Sequence, residues 1–319
     1  MDWFAAGENG PLIAIRAIHF AASAMTTGTL VFGTVVGNPA LRSEPRLELL
    51  QRAQMLRLAW IGVAITVLSG VIWLWFQAAA IAGLPLGEAL TSSLLLTVLN
   101  ETQFGLVWEI RTVLAIILAA CLAYGRFVPA KWLALATAIG LTAAIAWTGH
   151  AGSTAGELGK LHLAADVLHL AAAAAWIGGL VPLVLLLTAV RRAQAVAWPS
   201  LAWEATRRFS MLGVISVATL LTTGIVNAWI LVGSFHALAT SEYGRLLILK
   251  LVVFAIMLAF AVVNRFWLTP RLAISSGNEL PFAALRGLTH NGVIEIALGF
   301  AIFAIVGMLG TMHPATHLF

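Results

Sequence analysis

Residues 161–189 read LHLAADVLHLAAAAAWIGGLVPLVLLLTA. A helix that crosses the hydrocarbon core of a bilayer needs about 20 mostly apolar residues, and this run exceeds that length. It nevertheless contains His162, Asp166 and His169, spaced four and then three residues apart. That spacing sets all three on one helical face. The run reads as a membrane-spanning helix with a polar stripe. Ionisable groups in hydrocarbon are costly, so each marks a functional site by default.

Seven further apolar runs lie at 12–37, 56–82, 105–124, 131–150, 209–234, 245–268 and 290–312. Of 319 residues, 61% are hydrophobic and only 10% charged, and the mean hydropathy is +0.97. A soluble domain carries about 25% charged residues. So few charges cannot cover a water-soluble surface, and a soluble enzyme is excluded. The expected fold is all-α: one polytopic membrane domain over 1–319 with eight transmembrane helices. Segment 84–104 is too polar at its ends to span, and reads as an interfacial or re-entrant helix.

The loops orient the chain. Thirteen Lys and Arg residues fall in alternate loops, at Arg42, Arg46, Arg52, Arg57, Arg126, Lys131, Arg191, Arg192, Arg207, Arg208, Arg265, Arg271 and Arg286. The opposite loops hold only Lys160 and Arg245, with Glu88, Glu101, Glu157 and Glu242. The positive-inside rule puts both termini outside, in the periplasm if the membrane is a bacterial inner membrane. The net charge of +5 is thus a topology signal, and no nucleic-acid partner is expected. Asp2 and Glu8 stand where a signal peptide would be basic, so the first run reads as a retained helix. The lone Cys121 sits in an apolar run and reads as a small buried residue. It leaves no disulfide, iron–sulfur cluster or Cys-based zinc site within one chain.

The halves repeat. His19 to Gly28 and His169 to Gly178 both fit H-x-A-A-x-A-x-x-x-G. Thr102, Phe104, Gly105 and Arg111 match Ser241, Tyr243, Gly244 and Lys250 as [ST]-x-[FY]-G-x5-[KR]. Ser69-Gly70 matches Thr223-Gly224, and His150 matches His313. Four helices separate the copies, so both point the same way. This predicts two parallel four-helix repeats, about 12–150 and 161–313, related by an axis along the membrane normal.

His162, Asp166 and His169 are the leading metal candidates, with Trp176 on the same face. Imidazole and carboxylate ligate borderline transition metals, and a carboxylate beside a ligating His also fixes its tautomer. The alternative is a structural hydrogen-bond network, which a lone intramembrane histidine would favour. His19 lies at the depth of His169 by the repeat, is a metal candidate with it as a layer that would pass the ion into the bundle, and Arg16 aligns with Asp166. Opposite charges at one depth predict either an Arg16–Asp166 ion pair, since an unpaired charge would be expensive, or a direct metal role for Asp166. Arg111 and Lys250 would pair with Glu109 or Asp166, or anchor an anion. His150 and His313 fall at the cation-poor helix ends, together with His162 and His236. Met312 precedes His313, a pairing that suits Cu(I). His317 reads as a solvated tail residue, and only His290 maps to the opposite side. Met25, Met211, Met257 and Met308 read as gap fillers. Glu295 is placed near the cation-rich end of the last helix, either as a station on a path or as a partner of Arg265 or His290.

With these residues in view, the chain resembles the CopD/PcoD copper-resistance membrane protein family. The likeness rests on Thr148-Gly149-His150-Ala151, on His162, Asp166, His169, Trp176, Gly178 and Gly179, on Arg208-Phe209-Ser210, on the Ser241 to Lys250 element, and on Asn264-Arg265. It spans nearly the whole chain and is densest in 148–270. The resemblance implies an inner-membrane protein that moves copper, Cu(I) or Cu(II), inward, working with a periplasmic CopC-type copper-binding protein. No CopC-like domain is fused here, so that partner would be separate, and membrane lipid would be the other contact. No G-x4-GK[ST] motif for ATP hydrolysis occurs, and the reading is a transporter, not an enzyme. The competing reading is a b-type haem electron carrier with His19 and His169 as axial ligands. A third is a sensor or assembly factor whose histidines only stabilise packing.

Overall fold

The computed structural model describes residues 10–41, 45–125, 128–193, 198–273, 282–314 and 316. Asp2, Glu8, Arg42, Arg126 and His317 lie outside the described residues. Among those described there are helices and connecting turns and no strand. Eight helices are long and apolar enough to cross a membrane: Gly10–Ala40, Glu48–Ala82, Gln103–Ala123, Pro129–Thr148, Gly156–Arg192, Ser200–Val232, Glu242–Ala273 and Phe282–Leu309. They are numbered here as the first to the eighth span. The protein is a polytopic all-α membrane protein.

The spans extend beyond the apolar runs mainly at the cation-rich face. The second starts before residue 56, the sixth before 209 and the eighth before 290. The added turns carry Gln51, Arg52, Arg207 and Arg286. Polar turns of this kind continue a helix into the headgroup layer, where hydropathy no longer reports it. Between the second and third spans lies a ten-residue helix, Ser92–Glu101. It is too short to cross a bilayer, and its Val98 packs on Leu74 and Ala78.

The first and fifth spans form the centre. Of their most apolar stretches 72% and 67% is buried, against 11% for the seventh. The first packs against the second, fourth, fifth and eighth spans, and the fifth also packs against the sixth and eighth. Lipid tails are as apolar as leucine, so close van der Waals packing must hold such helices together, and small residues allow it. The two central helices meet at Gly28 and Gly178. A Cβ on Gly28 would stand 2.3 Å from the carbonyl carbon of Gly178, and one on Gly178 would stand 2.0 Å from the carbonyl oxygen of Ala24. His19 and His169 each lie nine residues before this crossing.

The third and seventh spans begin alike. Thr102 Oγ1 accepts from the Gly105 amide and Ser241 Oγ from the Gly244 amide, both at 3.0 Å. Each is an N-cap that satisfies an otherwise orphaned helix donor. Three spans contain a π-helical turn, at Gly33–Gly37, Ala174–Gly178 and Asn264–Leu268. Such turns re-aim side chains and recur at functional sites.

The crossing yields a test. Gly28→Ala should lower stability by about 2 kcal/mol or more, since overpacking against backbone has no flexible neighbour to yield. Gly33→Ala should cost nothing, because a Cβ there meets no atom within 4 Å. Thermal unfolding in detergent checks both; equal melting temperatures would contradict the crossing.

Candidate metal-handling site

Each half holds one histidine whose tautomer is set by a hydroxyl on the next span. In the first half, His19 Nδ1 lies 2.9 Å from Ser69 Oγ. Ser69 donates its only proton to the carbonyl of Ile65 at 2.6 Å, so it must accept from Nδ1–H. Nε2 of His19 then carries the lone pair. Arg111 fills it, donating from Nη2 at 2.5 Å. The same guanidinium donates to the carbonyl of Leu141 at 2.5 Å and to Ser23 Oγ at 3.3 Å. His19 and Arg111 are both buried, and the Trp73 ring stands edge-on to the imidazole at 5.2 Å.

The second half repeats the first step and omits the second. His169 Nδ1 lies 2.9 Å from Thr223 Oγ1, which donates to the carbonyl of Thr219 at 2.6 Å. Nδ1 therefore holds the proton here too, and Nε2 the lone pair. Thr223 makes the only hydrogen bond to His169 among the described residues. Lys250, the counterpart of Arg111 in the motif, interacts electrostatically with His169 and Asp166 but forms no ion pair within 4.0 Å among the described residues. Asp166 accepts one hydrogen bond, from Asn227 Nδ2 at 3.2 Å.

About two turns toward the cation-poor face the pattern recurs. His162 Nδ1 lies 2.9 Å from Thr154 Oγ1, and that hydroxyl donates to the carbonyl of His150 at 3.0 Å. His162 is thus also an Nδ1–H tautomer, and among the described residues its Nε2 lone pair receives no hydrogen bond. His150 adjoins it electrostatically, faces the Tyr243 ring at 6.1 Å, and lies 3.3 Å through Nε2 from the carbonyl of Leu309. Met312 and Met308 pack against the apolar cluster that includes Tyr243 and Leu309.

The stripe His162, Asp166 and His169 faces the bundle. His162 is buried and the other two are half-buried, while Leu161 and Leu168 on the flank of the stripe are exposed. Other expectations are corrected. Arg16 does not pair with Asp166; its guanidinium lies over the rings of Trp73 at 5.1 Å and Phe20 at 5.7 Å, so a cation–π contact replaces the ion pair. Arg111 meets His19 instead of Glu109 or Asp166, because Glu109 points out of the bundle and is exposed. Among the described residues the only ion pairs are Lys160–Glu157, Arg207–Glu204 and Arg208–Glu204. Glu295 pairs with neither Arg265 nor His290: it accepts from Asn264 Nδ2 at 2.6 Å, while Arg265 donates to Ser210 and His290 is exposed. It also lies thirteen residues into the 28-residue helix Phe282–Leu309, at its middle, because that helix starts earlier than its apolar run.

His313 is exposed on the cation-poor side and His236 is exposed on the short helix Phe235–Thr240. Among the described residues no group of three or more His, Cys, Asp or Glu is gathered as a metal cluster. Haem ligation by His19 and His169 is not supported: both nitrogens of His19 are engaged, and each imidazole turns to its own neighbouring span. Sequence reasoning passed over Thr154, Asn227 and Asn291, and read Tyr243 and Asn264 only as motif residues. Ser69 and Thr223 were visible as a matched pair, but their role emerges only from the contact.

Eight apolar spans around internal histidine, carboxylate and cation groups define a multi-pass membrane protein built to hold polar chemistry within the bilayer. The chain matches the copper resistance protein D-like N-terminal domain over residues 7–160 and copper resistance protein D over 203–309. It is 30% identical over 220 residues to "Copper resistance protein D" of Pseudomonas syringae pv. tomato, covering 67% of this chain and 70% of that protein. The "Inner membrane protein YebZ" of Escherichia coli (strain K12) is 29% identical over 303 residues, 95% of this chain and 98% of the relative. The "Copper transport protein CutJ" of Bacillus subtilis (strain 168) is 31% identical over 255 residues, 78% of this chain and 45% of the relative. No solved structure matches the chain. The chain belongs to the copper resistance protein D family.

Arg111→Ala removes the donor to His19, Leu141 and Ser23 at once. Each buried group left unpaired costs about 1–3 kcal/mol, so the variant should melt well below wild type. A wild-type melting temperature would show that the Arg111 contacts carry no stability.

Proposed function

We propose that the chain carries copper inward across the bacterial inner membrane, with both termini in the periplasm and the second half as the path. Membership of the copper resistance family and the relatives' names support copper as the cargo. The thirteen cations on one face against two on the other support the orientation. The observation that carries the path is the contrast between the halves. His19 presents its Nε2 lone pair to Arg111, whereas His162 and His169 hold theirs open on the stripe that includes Asp166.

In this reading His150 and His162 receive the ion at the periplasmic side. Met312 supplies a soft donor nearby, with His313 as a more exposed reserve. The ion then moves about 10 Å along the fifth span, from His162 to His169, at 1.5 Å per residue. Asp166 lies between them and offers negative charge to a cation leaving water. Lys250 is the resident cation that the arriving ion displaces electrostatically, and it prevents the empty site from holding an uncompensated carboxylate. Trp176 closes the path below. A separate CopC-type protein would deliver the ion. The two halves are read as copies of one four-helix unit, the first retained as a closed, structural copy. The shared His–hydroxyl contacts, N-caps and equidistant crossing support that reading.

The double substitution His162→Ala, His169→Ala should reduce copper uptake in proteoliposomes to background and lower bound copper, while the protein still inserts. His19→Ala should leave bound copper unchanged, and His317→Ala should do little. Binding should weaken at acid pH, because a ligating imidazole must be neutral. Unchanged uptake and stoichiometry in a well-folded double variant would make the stripe a structural network.

A further inference from the structure

Below Trp176 lies a cavity of about 360 Å³ between the fifth, sixth, seventh and eighth spans. Two of the three π-helical turns border it: Ala174–Gly178 contributes Trp176, and Asn264–Leu268 contributes Asn264 and Arg265. Its wall reaches Thr206 and Thr269, near the cation-rich ends of the sixth and seventh spans. The exposed residues Val214, Leu221 and Phe266 also line it, so it opens laterally in the apolar belt.

Glu295 lines this cavity from the eighth span and is only 2% exposed. A carboxylate at mid-bundle would normally need a cation. Among the described residues it has none within 4.0 Å. Its hydrogen bond comes from a neutral amide, Asn264 Nδ2, whose Oδ1 in turn accepts from Asn291 at 2.8 Å. Arg265 faces the same cavity but is committed to Ser210, at 2.6 Å to Oγ and 3.3 Å to the carbonyl oxygen. Among the described residues no other ionisable side chain lines the cavity. Thr206 Oγ1, on the sixth span, is buried there with no hydrogen-bond partner.

A carboxylate this buried and unpaired is expensive, and neutralisation removes the cost. One carboxylate with an amide neighbour in a largely apolar wall offers too few donors for a dehydrated metal ion, which needs several oxygen, nitrogen or sulfur ligands. A proton needs only the carboxylate. The cavity supplies the space for water between Glu295 and the cation-rich face, and Thr206 offers that water a polar partner. We propose that Glu295 is a proton-binding site that exchanges its proton with water at the cation-rich face through this cavity. The proposal goes beyond the copper reading and does not depend on it.

A hydrophobic carbodiimide tests it on the wild-type protein in intact membranes, without copper. A neutral acid gives its proton to a carbodiimide nitrogen, and its oxygen bonds to the central carbon. The acyl group then shifts to nitrogen as a stable N-acylurea, with every atom retained. Peptide mass spectrometry should find the adduct on Glu295, with Glu295→Gln as the assignment control. The yield should fall several-fold when the cation-rich face alone is made alkaline, and stay constant when only the other face is. Absence of the adduct at every pH overturns the proposal, as does a yield that ignores the pH of the cation-rich face or follows the other.

Discussion

The contact from Arg111 to His19 sets the terms for the rest of the molecule. A guanidinium buried in a membrane bundle is costly unless its charge and donors are engaged, and those of Arg111 reach an imidazole lone pair, a backbone carbonyl and a serine hydroxyl. That contact binds the first, third and fourth spans into one unit. It also occupies the nitrogen that a metal or a haem iron would require. The corresponding cation on the seventh span, Lys250, is a compact ammonium with no ion pair among the described residues. It leaves His169 with one nitrogen tied to Thr223 and the other open. Arginine on the third span and lysine on the seventh therefore go with a His19 whose two nitrogens are both engaged and a His169 with one hydrogen bond among the described residues. Arg and Lys differ because the planar guanidinium presents five donors in a rigid fork, whereas the ammonium is a compact point charge with three rotatable donors.

The hydroxyls matter as much as the cations. Ser69, Thr223 and Thr154 each spend their single proton on a backbone carbonyl one turn back, and so can only accept from the neighbouring histidine. Three imidazoles are thereby held as Nδ1–H tautomers. In the proposed path this is the outer support that would orient a ligating histidine and fix which nitrogen faces the ion. It costs little inside a helix, where Ser and Thr bond the preceding turn readily.

Much of the architecture was legible because hydrocarbon imposes a simple code. Apolar length gave eight spans, and the matched His-to-Gly elements marked the two helices that cross at Gly28 and Gly178. The spacing of His162, Asp166 and His169 correctly set them toward the bundle. Partner choice was not legible. Equal depth suggested an Arg16–Asp166 pair, but depth fixes one coordinate only, and Arg16 turns to Trp73 instead. Glu295 was placed near a helix end because hydropathy cannot see the polar turns that lengthen the eighth span. The π-turns at Ala174–Gly178 and Asn264–Leu268, which border the inner cavity, leave no mark in composition or periodicity.

Heteronuclear NMR of the histidine ring nitrogens, with Cu(I) titrated into the detergent-solubilised protein, tests the division into closed and open halves most directly. The Nε2 signals of His162 and His169 should shift on metal addition while their Nδ1–H signals persist, and His19 should not move. A shift at His19 with His162 and His169 unchanged would contradict the account.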